Sequence, residues 1–247
     1  MLMLCDVWEG ALDIDELVLR NGGVVGLMVR INDMNGGHHM DTNFYNQWSQ
    51  AELFLRAPYF VYNPWVDGVA NFNWLSAHVP AETTIVFPDI EVSKPEYPKE
   101  TYADEVDEFI QLTRARWRAP IYTGGWFLGT IAHWPGGDYW WGRYPYYLCP
   151  RGDRVTWTWE EMQQRANTYG WNPDPTKQCP GVVRVWQCSG DKVILPGTAG
   201  RAMDINLWPT TLPALEEFWG MRLPGAKTMD ERVTKLEEQA RLHGWDI

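Results

Sequence analysis

Residues 83–92 read Thr-Thr-Ile-Val-Phe-Pro-Asp-Ile-Glu-Val, an apolar run that ends in two acids spaced two apart. Side chains two apart on a strand point to the same face, so Asp89 and Glu91 project together, with Cα atoms roughly 6.6 Å apart. A continuous apolar run of this kind suits a parallel strand buried on both faces. Similar runs recur along the chain at 2–8, 24–31, 59–63, 120–123, 139–143, 182–188 and 202–206, which with 84–92 gives eight strands. Helical patterns alternate with them in the first half. Asp13 and Glu16 give an acidic first turn before a helix over 16–21 that Gly22 stops. Thr101 with Asp104, and Thr158 with Glu161, have the spacing of capping boxes, the second helix closing at Gly170. A further helix is predicted over 44–56. Strands alternating with helices over about 205 residues predict an α/β fold: one parallel β/α barrel of TIM type, with some helices missing in the loop-rich second half.

The chain has 247 residues, 32 acidic and 21 basic, for a net charge of −11. That balance argues against nucleic acid, which needs a basic face. No apolar run approaches the roughly 20 residues of a membrane helix, so membrane insertion is not expected. The opening MLMLCDVWEG lacks the layout of a signal peptide. Cys5, Cys149, Cys179 and Cys188 form no CxxC pair, which speaks against structural zinc. One disulfide among the last three and buried free thiols both remain open. His38 and His39 lie in a Gly-rich loop and read as solvent-exposed rather than as metal ligands. The 16 Trp, 11 Tyr and 8 Phe are an unusual aromatic load, suited to core packing and also to stacking on sugar faces.

After residue 208 the character changes. Residues 209–213 and 224–225 read as linkers, and 228–243 as a charged helix with apolar positions Met229, Val233, Leu236 and Ala240. This divides the chain into a barrel over 1–208 and a linker with C-terminal helix over 209–247. The helix either packs on the barrel or joins copies of the chain into a homo-oligomer.

Barrel active sites form at the C-terminal ends of the strands, where Asp89 and Glu91 fall. Two close carboxylates on a low-dielectric floor cannot both ionise easily, which leaves one as a protonated acid. Asp6 and Asp204 also interrupt apolar strands, the first and the last, where an unpaired charge is costly. First and last strands are neighbours in a closed barrel, so Asp6 and Asp204 are expected side by side, facing Asp89 and Glu91. Four acids without basic partners or metal-binding histidines point to glycoside chemistry, with a magnesium site as the competitor. No cofactor is implied.

In order along residues 3–208, the sequence resembles the glycoside hydrolase family 25 lysozymes, the N-acetylmuramidases of bacteria, phages and some fungi. CDVWEG resembles the family's D-V-S-x-W-Q-G, FPDIEV its L-D-V-E, and IYTGGWF its I-Y-T-G-x-W-F. YWWGRYP, VRVWQCSG and MDIN are similar to its L-W-I-A-x-Y, W-Q-Y-S and V-D-L-N. The resemblance implies a flattened barrel that cleaves the β-1,4 bond between N-acetylmuramic acid and N-acetylglucosamine in peptidoglycan. It implies action at the cell wall, with a phage or virion origin among the sources. Carried over, Glu91 is the general acid, Asp89 orients the reacting sugar or its acetamido group, and Asp6 and Asp204 complete the acidic cluster. Tyr62 and Tyr122 would line the sugar subsite and Trp186 would wall it. The chain departs from the family's K-A-T-E-G at Arg30-Ile-Asn-Asp-Met34 and from its Y-H pair at Tyr62-Asn63. Those departures keep open a related glycosidase acting on another N-acetylhexosamine glycan. A non-catalytic glycan-binding or virion structural protein is the reading from a different class.

Overall fold

The computed structural model describes residues 1–8, 14–33, 38–169, 171 and 176–224. The helix expected over 228–243, Asp13, Gly170 and part of the loop before His38 lie outside the described residues. Among the described residues nine strands form one sheet: β1 (Leu2–Val7), β2 (Val24–Arg30), β3 (Leu55–Val61), β4 (Phe87–Asp89), β5 (Ile121–Gly124), β6 (Asp138–Gly142), β7 (Val155–Thr156), β8 (Val182–Ile194) and β9 (Ala202–Trp208). Their order is β6-β5-β4-β3-β2-β1-β9-β8-β7, and β6 also pairs with β8, which closes eight strands into a barrel and leaves β7 outside on β8.

The barrel is not wholly parallel as expected. β9 runs antiparallel to both β1 and β8. A parallel return needs a crossover of a dozen or more residues, and β8 ends at residue 194 while β9 starts at 202. The reversal carries the chain out of β9 at the bottom of the barrel. There α6 (Leu212–Trp219), which begins inside the 209–213 segment read as a linker and was not anticipated, plugs the floor with Leu215, Phe218 and Trp219. Pro213 marks a helix start, not a linker, because proline is tolerated in the first turn.

The other helices cover the barrel's flanks. α1 (Glu16–Asn21) is capped by Asp15, whose carboxylate accepts from the backbone N–H of Leu17 and Val18. α2 (Phe44–Gln50) ends six residues earlier than expected, passing through a 3-10 turn into β3. α3 (Gly68–His78) was not anticipated, although Asp67 is a plain N-cap that accepts from Ala70 N at 2.6 Å. α4 (Lys99–Arg116) starts at Lys99, so Thr101 and Asp104 are inside the helix rather than its cap. α5 (Trp159–Tyr169) does carry the expected capping box: Glu161 N donates to Thr158 Oγ1 and Thr158 N to Glu161 Oε2.

Two apolar clusters follow from the strands' period of two. Leu4, Met28, Ala57, Phe87, Trp140 and Val185 fill the barrel, while Leu27, Val29, Phe60, Phe109, Ile121 and Trp186 pack between barrel and helices. α3 and α4 meet at Gly68, where a Cβ would stand 2.4 Å from Glu105 O and 2.9 Å from Phe109 N. Those are backbone atoms, which cannot swing aside. Gly68→Ala is therefore expected to force the helices apart and cost about 2 kcal/mol, read as a lower urea midpoint; an unchanged midpoint would refute the close approach.

Candidate active site

The four acids singled out in the sequence converge at the barrel's open end. Asp6, near the end of β1, lies directly opposite Asp204 in the antiparallel register with β9. The reversal of β9 matters here, since it brings the N-terminal half of that strand to the end where β1 and β4 finish. Asp89 closes β4, paired with Val61 and Tyr122, and Glu91 follows two residues on. All four line one pocket of about 310 Å³, together with Trp8, Arg30, Tyr59, Tyr122, Trp140, Gln187 and Asp191.

A hydrogen-bond network fixes the acids. Asn206 Nδ2 donates to Asp6 Oδ1 at 2.7 Å, and Trp140 Nε1 holds the same amide by donating to Asn206 Oδ1 at 2.6 Å. Gln187 Nε2 donates to Asp6 Oδ1 at 3.1 Å and to Asp204 Oδ2 at 3.4 Å. Its Oε1 accepts from the phenols of Tyr122, at 2.6 Å, and Tyr144. The backbone N–H of Asp191 donates to Asp204 Oδ1 at 2.7 Å. Against this, Asp89 is 3% exposed and its Oδ1 has no hydrogen-bond partner among the described residues. A buried acceptor left bare costs free energy, so it marks a place where a donor from outside would be gained.

Burial sets the proton inventory. It pushes Glu91 up to about 7, with Asp6 adding to the rise. Asp6 itself is pushed up to about 6 by burial, held back by its bonds from Asn206 and Gln187 and by its bond with Asp204. Asp204 is raised by burial, then by Asp6. Asp89 is raised by burial, then by Glu91 and Asp6, while the Arg30 guanidinium pulls the other way. The cluster thus stores protons at neutral pH, and at Asp89 burial and the two neighbouring acids outweigh the opposing Arg30 guanidinium.

Arg30 corrects the expectation of a site without basic groups. It ends β2 inside the pocket wall, donates from Nε to the buried Asp41 at 3.0 Å, and sits 5.3 Å from the centroid of the Trp8 ring. Two aromatic placements are also corrected. Tyr62 is fully buried outside the barrel, beside Tyr102 and Phe109, and Tyr59 and Val61 occupy the inward positions. Trp186 likewise faces outward, its Nε1 bonded to Arg143 O and its ring edge-on to Trp171, while Gln187 turns inward. Tyr122 does line the pocket. Sequence reasoning missed Tyr59, Trp140 and Gln187. The signal available was Gln187, a lone amide inside an apolar strand. All four cysteines are free, with Cys5 and Cys188 buried.

No family model matches the sequence, and no curated protein matches it by sequence. Solved structures do match. A family 25 glycosyl hydrolase from Bacillus anthracis is 14% identical, with a TM-score of 0.65 over 89% of this chain and 94% of its own. A bacterial lysozyme from Streptomyces coelicolor is 16% identical, with a TM-score of 0.62 over 88% and 96%. The fold is that of the family 25 lysozymes. The modular Cpl-1 endolysin, solved with a peptidoglycan analogue, is also similar, at 14% identity and a TM-score of 0.55 over 83% of this chain and 53% of its own. A family 25 lysozyme fold agrees with the closed barrel, and no described helix is long and apolar enough to cross a membrane.

Proposed function

We propose that the protein is a peptidoglycan hydrolase acting at the cell wall, a muramidase that cleaves the β-1,4 bond between N-acetylmuramic acid and N-acetylglucosamine. The observation that carries this reading is the gathering of Asp6, Asp89, Glu91 and Asp204 in one pocket of a lysozyme-type barrel, with Glu91 pushed up to about 7. A carboxyl with that affinity still holds its proton near neutrality and can give it to a leaving oxygen.

In this reading Glu91 protonates the glycosidic oxygen as the bond to the anomeric carbon breaks. The carbonyl oxygen of the sugar's own acetamido group attacks that carbon from the opposite face, giving a cyclic oxazolinium. Asp89 accepts a hydrogen bond from the acetamido N–H at its bare Oδ1 and stabilises the positive charge that develops there. Water then opens the ring with Glu91, now a carboxylate, taking its proton. The product keeps its anomeric configuration, as in other substrate-assisted glycosidases. Asp6 and Asp204, tied together through Gln187, with Asn206 also bonded to Asp6, hold the network in place, and Tyr122 walls the sugar.

Mass spectrometry of peptidoglycan digested with the purified protein tests this directly. Fragments ending in reducing N-acetylmuramic acid are expected. Fragments ending in reducing N-acetylglucosamine would assign the other bond, and an undigested wall would remove the reading.

A further inference from the structure

Outside the acid pocket one exposed indole is held in an unusually fixed way. Trp126 follows β5 and is 53% exposed. The benzo edge of its ring rests on Gly124 and Gly142, the last residues of β5 and β6, which are paired in register at the barrel mouth. A Cβ at Gly124 would lie 2.3 Å from ring atom Cη2, and one at Gly142 2.5 Å, so only glycine at both positions leaves the ring room. The ring also stacks on Tyr144, with centroids 5.3 Å apart and planes 25° from parallel. Tyr144 in turn donates its phenol to Gln187 Oε1 and shares a hydroxyl contact with Tyr122 at 3.2 Å. One residue therefore joins the exposed ring to the network that holds the acids.

Exposed rings are ordinary on a protein surface, Trp65 being as exposed as Trp126, so what sets Trp126 apart is its seating and not its exposure. Seated on a glycine floor and braced from the side, this one has already lost its side-chain freedom, so a ligand stacking on it would not have to order it. We infer that Trp126 and Tyr144 form a wall that binds a sugar unit beyond the scissile bond, through the flat C–H face of a β-linked N-acetylhexosamine. The inference rests on the glycan reading above and extends it: the chain recognises a strand, not an isolated disaccharide. A pyranose offers the two requirements of such a wall, an apolar face for the ring and polar edges left in water.

The test uses the full chain carrying Glu91→Gln, so that ligand survives, titrated with soluble, peptide-free peptidoglycan strands of increasing length and followed by calorimetry. Affinity is expected to climb with length, and adding Trp126→Ala is expected to lower affinity for the longer strands about tenfold, equivalent to about 1.4 kcal/mol. Val182→Ser, an exposed position where β8 begins at the opposite end of the barrel, should bind as the parent does. Equal affinity with and without Trp126, or no binding by either protein, overturns the inference. Cleavage by the parent chain is scored separately. A Trp126-dependent affinity in a chain that cuts no wall supports the binding wall and removes the hydrolase reading, whereas cleavage with Trp126-independent affinity removes the wall alone.

Discussion

Glu91→Gln is expected to lower hydrolysis of peptidoglycan by about a thousandfold, within the range that loss of a general acid removes. Glutamine keeps the shape and cannot give up a proton to the leaving oxygen. In the parent chain, kcat/KM should fall as pH rises through about 7, where Glu91 loses its proton, and that limb should vanish from whatever activity the variant retains. Turnover near the parent level would refute the assigned acid.

The same substitution has a second readout with the opposite sign. Burial raises Glu91 from 4.5 to about 7, so between those pH values the folded chain holds a proton that the unfolded chain has released. Stability contributed by the protonated form is full below about 4.5 and is lost as pH climbs to 7, where the buried charge must be carried. Glutamine carries none. The variant should therefore match the parent at pH 4 and exceed it at pH 8 by on the order of 2 kcal/mol, or roughly 4–8 °C in melting temperature. Equal melting temperatures at pH 8 would mean that the Glu91 carboxylate is well solvated. Together the two readouts separate an acid that does chemistry from one that merely holds the pocket in shape, because a structural group costs stability when it is removed.

The acids were legible in the sequence because a charge inside an apolar strand has no inexpensive structural reason to be there. Asp6, Asp89 and Asp204 each break such a run, and strand order alone makes the first and last neighbours. The facing of the aromatic residues was not legible. Around Tyr62 the strand is apolar on both sides, so the period of two leaves no visible phase there, and in β8, where Arg184 does mark the outward face that Trp186 shares, a shift of one residue moves a ring from the pocket to the helix layer. The polar residue that fixes the phase of β8 is Gln187, which follows Trp186. The direction of β9 depended on the length of one connection, and α6 was hidden behind prolines that suggest a linker as readily as a helix start. Arg30 belongs to a segment that departs from the family pattern, and only its register beside Tyr59 shows that it reaches the pocket.

Asp89→Asn should cut kcat by about a hundredfold to a thousandfold, the cost of losing one preformed partner of transition-state charge, with a much smaller change in KM. Asparagine fills the same volume, and its amide oxygen can still accept a hydrogen bond, but it cannot balance the positive charge of an oxazolinium. The loss should therefore be confined to substrates that carry the 2-acetamido group. An activated aryl glycoside without that group is expected to be hydrolysed slowly, and at similar rates by parent and variant. Proton NMR of the first product should show retained configuration in the parent. Removing a carboxylate that burial and two neighbouring acids already disfavour should also raise stability at pH 8, as expected when a site is kept strained for its chemistry. An equal loss on both substrates would make Asp89 a direct electrostatic or nucleophilic partner of the anomeric carbon. Falling stability would make it a structural group. Only the combination of a selective loss of rate and a gain in stability fits a carboxylate whose bare oxygen awaits the substrate's own amide.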